Sequence, residues 1–135
     1  MNAMEKVAWT ELVVCVTAVT AVTLLLPWVG DSAITGFALL GLMVFGALFI
    51  RRRDNRVVVD ERDREIERKA TSIGVSSAWM TLFLVLIAAT TWSGYSHIDA
   101  VPIRFLNWLI WIQFAICYGI KGLAAILMYR RQHAA

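Results

Sequence analysis

Three polar residues recur along one face of the last apolar segment of the chain. Gln113, Cys117 and Lys121 are four residues apart, so they form a row if the segment is a helix. Inside a membrane such a row must face protein or water, because lipid offers its polar groups no partner. Glu11 is the acidic residue near the first turns of an apolar segment, and it enters from the same side as Lys121. We therefore predict a Glu11–Lys121 pair.

Two functional interpretations of this row stay open. Glu11, Gln113 and Lys121 are a candidate intramembrane polar site of a small transporter or channel, which would assemble as a homo-oligomer. The other interpretation places Glu11 among the lipid headgroups and lets Lys121 reach water along its own helix.

Catalytic chemistry is not indicated by the sequence. The row lacks a nucleophile with a nearby base, and His97 and His133 fall on opposite sides of the predicted membrane. Cys15 and Cys117 are expected at different depths of an antiparallel bundle, so we expect no disulfide. We predict a protein that is not an enzyme and that holds no metal and no cofactor.

The densest charges lie in the middle of the chain, between residues 51 and 69. Its first half is basic and is a candidate lipid anchor, at Arg51, Arg52, Arg53 and Arg56. Its second half carries a candidate partner-binding acidic edge, at Asp60, Glu61, Asp63, Glu65 and Glu67. The alternative is a solvated connection whose charges only fix the topology.

Long uncharged runs frame these charges. Residues 12–29, 32–50 and 70–98 contain 18, 19 and 29 residues without a charge, and residues 105–129 contain Lys121 alone. About 20 apolar residues cross the ~30 Å hydrocarbon core of a bilayer as a helix. With 59% hydrophobic and 17% charged residues, the chain is too apolar for a soluble domain of 135 residues. We predict a single all-α domain, an integral membrane four-helix bundle with spans at about 7–28, 33–50, 70–92 and 104–129.

The basic residues predict the orientation of these spans, because loops rich in Lys and Arg stay in the cytoplasm. Arg104 falls alone on one side. The other side has eleven: Lys6, Arg51, Arg52, Arg53, Arg56, Arg62, Arg64, Arg68, Lys69, Arg130 and Arg131. Both termini and the charged loop 51–69 are therefore expected in the cytoplasm. The net charge of +3 is a topology signal, and we expect no nucleic-acid binding.

The third span is predicted to begin inside the cytoplasm. Asp60 can cap a helix, with Asp63 in the third position as a weak capping box, and Glu65 and Lys69 form a favourable four-residue pair. Apolar residues then repeat at helical spacing at Ile66, Ala70 and Ile73.

Small and hydroxyl residues predict close packing between the spans. They occur at helical spacings in the first, third and last span, at Thr10, Thr17, Ala21, Gly74, Ala78, Thr81, Ala115 and Gly119.

Residues 60–70 resemble the signature of a family of small uncharacterised prokaryotic membrane proteins, a domain of unknown function. In that signature Asp-Glu-Arg-Asp is followed by Ile and by Lys-Ala just before the third of four spans. Here the pattern occupies residues 60–63, Ile66 and Lys69-Ala70. The resemblance implies a bacterial or archaeal plasma membrane, and it supplies no activity.

Together these patterns favour a non-enzymatic, multi-pass membrane protein with an accessory or regulatory role. Its charged cytoplasmic loop would bind a cytoplasmic protein partner or anionic lipid of the bilayer. The transporter or channel remains the alternative.

Overall fold

Every secondary-structure element among the described residues is a helix. The computed structural model describes residues 3–43, 60–96 and 101–133. Helix α1 spans Ala3–Val29 and continues into a 3-10 helix at Gly30–Gly41. Helix α2 spans Glu61–Ser96 and contains the predicted third span, and helix α3 spans Ile103–His133 and contains the fourth. The all-α prediction is confirmed.

The described residues contain three helical stretches that are long and apolar enough to cross a membrane, rather than the four predicted spans. These are Met4–Gly41, Glu61–Ser96 and Ile103–Arg131. The predicted second span, 33–50, is described only as far as Met43, and its remainder lies outside the described residues.

The first of these stretches is folded back on itself. Gly30 has a φ of +61°, a left-handed conformation that glycine adopts without steric cost. Phe37, seven residues after this turn, belongs to one apolar cluster with Ala18 and Val22 of α1. In a continuous helix Ala18 and Phe37 would be about 28 Å apart at 1.5 Å per residue. The 3-10 helix therefore packs against the second half of α1.

Helix α2 begins where the sequence predicted. The carboxylate of Asp60 accepts a hydrogen bond of 2.8 Å from the N–H of Glu61, and its carbonyl accepts bonds from the N–H groups of Asp63 and Arg64. Asp63, the third position of the predicted capping box, also accepts a hydrogen bond from Tyr129 of α3. The helix also continues to Ser96, beyond the predicted end near residue 92.

Helix α3 is the centre of the arrangement, since it packs against α1, the 3-10 helix and α2. Two apolar clusters form at its interfaces. The first contains Cys15, Ala18, Val22, Phe37, Leu40, Met43 and Ala115. The second, where α1, α2 and α3 meet, contains Ala8, Ile66, Ala70, Ala125, Ile126 and Tyr129.

Most large apolar side chains face outward, as membrane helices require. Trp79, Met80, Phe83 and Leu84 form an exposed surface on α2. In water an apolar surface of this extent would favour aggregation, whereas lipid tails solvate it.

Two glycines let the backbones of neighbouring helices touch. A Cβ atom on Gly74 of α2 would lie 2.5 Å from the carbonyl oxygen of Cys117 in α3. A Cβ atom on Gly122 of α3 would lie 3.1 Å from the carbonyl oxygen of Ala8 in α1. The prediction of close packing thus holds at Gly74. The hydroxyl of Thr17 instead donates to the carbonyl of Val13 within α1.

We predict that Gly74→Ala lowers the melting temperature in detergent, because the added methyl group collides with the backbone of α3. Overpacking of this kind costs about 1–3 kcal/mol. Gly94→Ala is the matched control on the same helix, since a Cβ atom there meets nothing within 4 Å. Alanine favours a helix over glycine by about 1 kcal/mol, so the control should be neutral or stabilising. Equal melting temperatures for the two variants would contradict the close contact.

Candidate functional site

Polar side chains converge where α1 and α2 begin and α3 ends. Helix α1 contributes two carboxylates, α2 contributes two more, and α3 contributes an ammonium and a phenol. We call these residues the polar cluster: Glu5, Glu11, Asp63, Glu67, Lys121 and Tyr129.

The predicted ion pair is present in this cluster. Nζ of Lys121 lies 2.8 Å from Oε1 of Glu11, and the two side chains are only 16% and 12% exposed. The ammonium also lies 5.7 Å from the ring centroid of Tyr118, a cation–π distance. The alternative in which Lys121 reaches water along its own helix does not fit this contact, since its ammonium is bonded to Glu11. Two charges with so little exposure stabilise each other, and either one alone would be costly to bury.

Asp63 is part of the interior rather than of the exposed acidic edge. Oη of Tyr129 donates to Oδ1 of Asp63 at 3.0 Å, and the two residues are 6% and 4% exposed. The reason is helical spacing, because Asp63 shares a face with Ile66 and Ala70, which pack against α3. The sequence suggested a surface acid, and the structure uses it to hold the start of α2 against α3.

Glu5 and Tyr129 are the members of the cluster that the sequence analysis missed. Glu5 is 7% exposed, and its Oε2 atom has no hydrogen-bond partner among the described residues. It precedes buried Ala8 by three residues and so continues the buried face of α1, which is the signal that could have found it. Tyr129 carried no such signal, since tyrosine is common at membrane interfaces.

A small space lies inside the cluster. Its volume is about 20 Å³, and polar residues that line it are Glu11, Glu67, Lys121 and Tyr129. A water molecule needs about 10–15 Å³ of this kind, so the space has room for one. Among the described residues, no group of three or more His, Cys, Asp or Glu side chains is placed to hold a metal ion.

Gln113 is not part of the cluster. The side-chain amide of Gln113 is oriented so that both its nitrogen and its oxygen have a partner in α2. The nitrogen donates to the carbonyl of Ala78 at 2.8 Å, and the oxygen accepts from the N–H of Leu82 at 2.9 Å. These two groups of α2 are one helical turn apart and would pair with each other in a regular helix. The polar row of α3 is thus divided, with Lys121 bonded to α1 and Gln113 bonded to α2.

The cysteines occupy a similar depth, contrary to expectation. Sγ of Cys15 donates to the carbonyl of Ala115 at 3.6 Å, and Cys15 also lies beside Gly119, so it is level with Cys117. Both thiols are free. The error arose because Cys15 pairs with the middle of α3, a register that the sequence does not specify.

The other predicted acidic residues are exposed. Asp60, Glu61, Glu65 and Glu67 all lie on the surface of the first turns of α2. The predicted pair with Lys69 is present, with Nζ 2.7 Å from Oε1 of Glu65. Glu65 precedes the apolar part of α2, and the hydrogen bond from Lys69 holds the pKa of its carboxyl below the ordinary value. The candidate lipid anchors, Arg51, Arg52, Arg53 and Arg56, lie outside the described residues.

A second ion pair lies at the opposite end of the molecule. Arg104, at the start of α3, pairs with Asp31 in the first turn of the 3-10 helix, and both side chains are more than half exposed. The two ends therefore differ in kind, since one ion pair is buried among helices and the other is solvated.

We predict that Lys121→Met alone destabilises the protein more than Lys121→Met combined with Glu11→Gln. Removing one partner of a buried pair leaves an uncompensated charge, which costs about 3–5 kcal/mol. Unfolding free energies of the four proteins of this double-mutant cycle measure the coupling. Strictly additive effects of the two substitutions would show that the charges do not interact.

The family match is consistent with this architecture. The family model described as "Predicted membrane protein (DUF2178)" matches residues 4–133, almost the whole chain. No curated protein and no solved structure shows significant similarity to the sequence. The match agrees with the resemblance to an uncharacterised membrane protein family, and the chain has helices apolar enough to span a membrane. This chain therefore belongs to the DUF2178 family of predicted membrane proteins.

Proposed function

We propose that this chain is a non-enzymatic accessory protein of the plasma membrane whose charged start of α2 docks a cytoplasmic protein partner. In this proposal the chain has four spans, with both termini and the docking surface in the cytoplasm. The turn at Gly30 supports the extra span, since it reverses the first apolar stretch. The starts of α1 and α2 and the end of α3 meet at the polar cluster, as a common cytoplasmic side requires.

The observation that carries the proposal is the burial of Asp63 beneath exposed charges on the same two turns of helix. The Asp63–Tyr129 hydrogen bond and the buried side chains of Ile66 and Ala70 fix the start of α2 against the bundle. A connection whose charges only fix topology needs no such support. A rigid surface loses little conformational entropy when a partner binds, so this support favours docking.

The outer face of this segment carries both signs of charge. Glu61, Arg64, Glu65 and Arg68 follow one another at spacings of three, one and three, on the side away from Asp63. All four are exposed. The purely acidic edge of the sequence analysis is therefore replaced by a mixed-charge face, and we expect a partner that presents an alternating charge pattern.

The transporter or channel alternative has weaker support. Gln113 and Lys121 are eight residues apart, about 12 Å along α3, and each is bonded to a different helix. Polar groups that are satisfied by neighbouring helices contribute to packing and have no free capacity for a solute.

Photo-crosslinking in cells tests the docking proposal. A photoreactive amino acid at position 68 should give a discrete adduct with one protein, and Glu61→Lys combined with Glu65→Lys should abolish that adduct. Each exposed charge on a helix contributes only tenths of a kcal/mol to the free energy of unfolding, so the double variant should keep its melting temperature. Trp79 is the control position, because it is exposed on the apolar surface of α2.

Either of two results would contradict docking at this face. One is an adduct that forms equally from positions 68 and 79. The other is an adduct from position 68 that survives both charge reversals while the protein stays folded.

A further inference from the structure

An open groove runs between α2 and α3 near the end of the molecule that holds the polar cluster. Its volume is about 350 Å³. Its walls are apolar side chains with a single charged residue, and they include Ile73, Ile120, Leu123, Leu127, Met128 and Arg131. Volumes of about 300–1,000 Å³ are typical of sites for small ligands.

Arg131 lies at one end of this groove. Leu123, Leu127 and Arg131 are spaced by four residues, so they form one row along α3, and the guanidinium ends the apolar row. The neighbouring Arg130 points elsewhere, since its guanidinium lies 5.8 Å from the ring centroid of Trp9 in α1. The two consecutive arginines thus serve different faces of the same helix end.

Two basic residues of α2 share a helix face with the groove residue Ile73. Arg62, Lys69 and Ile73 lie on one face of α2, at spacings of seven and four residues, and Ile73 lines the groove. Both basic side chains are exposed. Lys69 is paired with Glu65. Arg62 is level with the end of α3 that carries Arg131, because the adjacent Asp63 is hydrogen-bonded to Tyr129.

We propose that this groove binds an anionic phospholipid, with one acyl chain against the apolar row and the phosphate at Arg131. A groove between apolar helices has no polar group for water and is filled by hydrocarbon. Guanidinium groups bind phosphate oxygens in a bidentate geometry, and basic pockets between spans select anionic headgroups. Arg62 adds positive potential near Arg131, which favours phosphatidylglycerol over the zwitterionic phosphatidylcholine. This lipid site is separate from the protein-docking face of α2.

Native mass spectrometry of the purified protein in mild detergent tests the proposal. Phosphatidylglycerol and phosphatidylcholine with the same acyl chains are the probes, and the count of bound lipids at each concentration is the readout. We expect one phosphatidylglycerol to bind in preference. Arg131→Gln should weaken it about fivefold, the factor equivalent to the ~1 kcal/mol that one basic residue contributes near anionic lipid. Arg130→Gln is the matched control and should bind like the native chain.

The apolar half of the site has its own test. Ala124 lines the groove, and Ala124→Phe should fill the groove and abolish preferential binding. Glycerol phosphate, which has the charge without the chains, should not compete with the lipid.

Three results would overturn the proposal. They are equal affinity for the two lipids, equal losses for Arg130→Gln and Arg131→Gln, and competition by glycerol phosphate. If Ala124→Phe does not fold, the two arginine variants still decide the question, because both residues lie at an exposed helix end.

Discussion

The buried ion pair between Glu11 and Lys121 is the constraint on which the remaining packing depends. Neither charge is stable alone at so little exposure, so α1 and α3 must face each other at this level. Gly122 then lies against the backbone of Ala8, and Gly74 of α2 lies against the turn of α3 that carries Lys121. One electrostatic contact thus sets the register of three helices, which small residues allow to approach closely.

Polar groups in the apolar parts of the chain are used to join helices. Lys121 connects α3 to α1, and Gln113 connects α3 to the backbone of α2. At the edge of the apolar region, Tyr129 connects α3 to Asp63. Within the part of the chain that the structure describes, the charged surface of α2 and the end of α3 remain exposed, and we propose that they meet a protein partner and lipid. The use of polar groups to join helices is also why packing accounts for the polar row better than transport does.

Local features could be predicted from the sequence, whereas contacts between distant segments were predicted only in part. Asp60 begins α2 and Lys69 pairs with Glu65 because both interactions involve neighbours within one helical turn. Glu11 and Lys121 were predictable because few opposite charges share their depth. The role of Asp63 could not be predicted, because the rotation of α2 about its axis decides whether a charged residue faces water or Tyr129. The backbone partners of Gln113 gave no signal, since every helix offers identical carbonyl and N–H groups.

Magnetic resonance on the protein in lipid nanodiscs tests the central contact most directly. With ¹⁵N-labelled lysine and ¹³C-labelled glutamate, a through-space correlation between Nζ of Lys121 and Cδ of Glu11 reports their distance, and Glu11→Gln identifies the signal. The account predicts this correlation and slow exchange of the Lys121 ammonium protons with water, since the side chain is 16% exposed. A Lys121 ammonium that exchanges rapidly and shows no contact with Glu11 would contradict it.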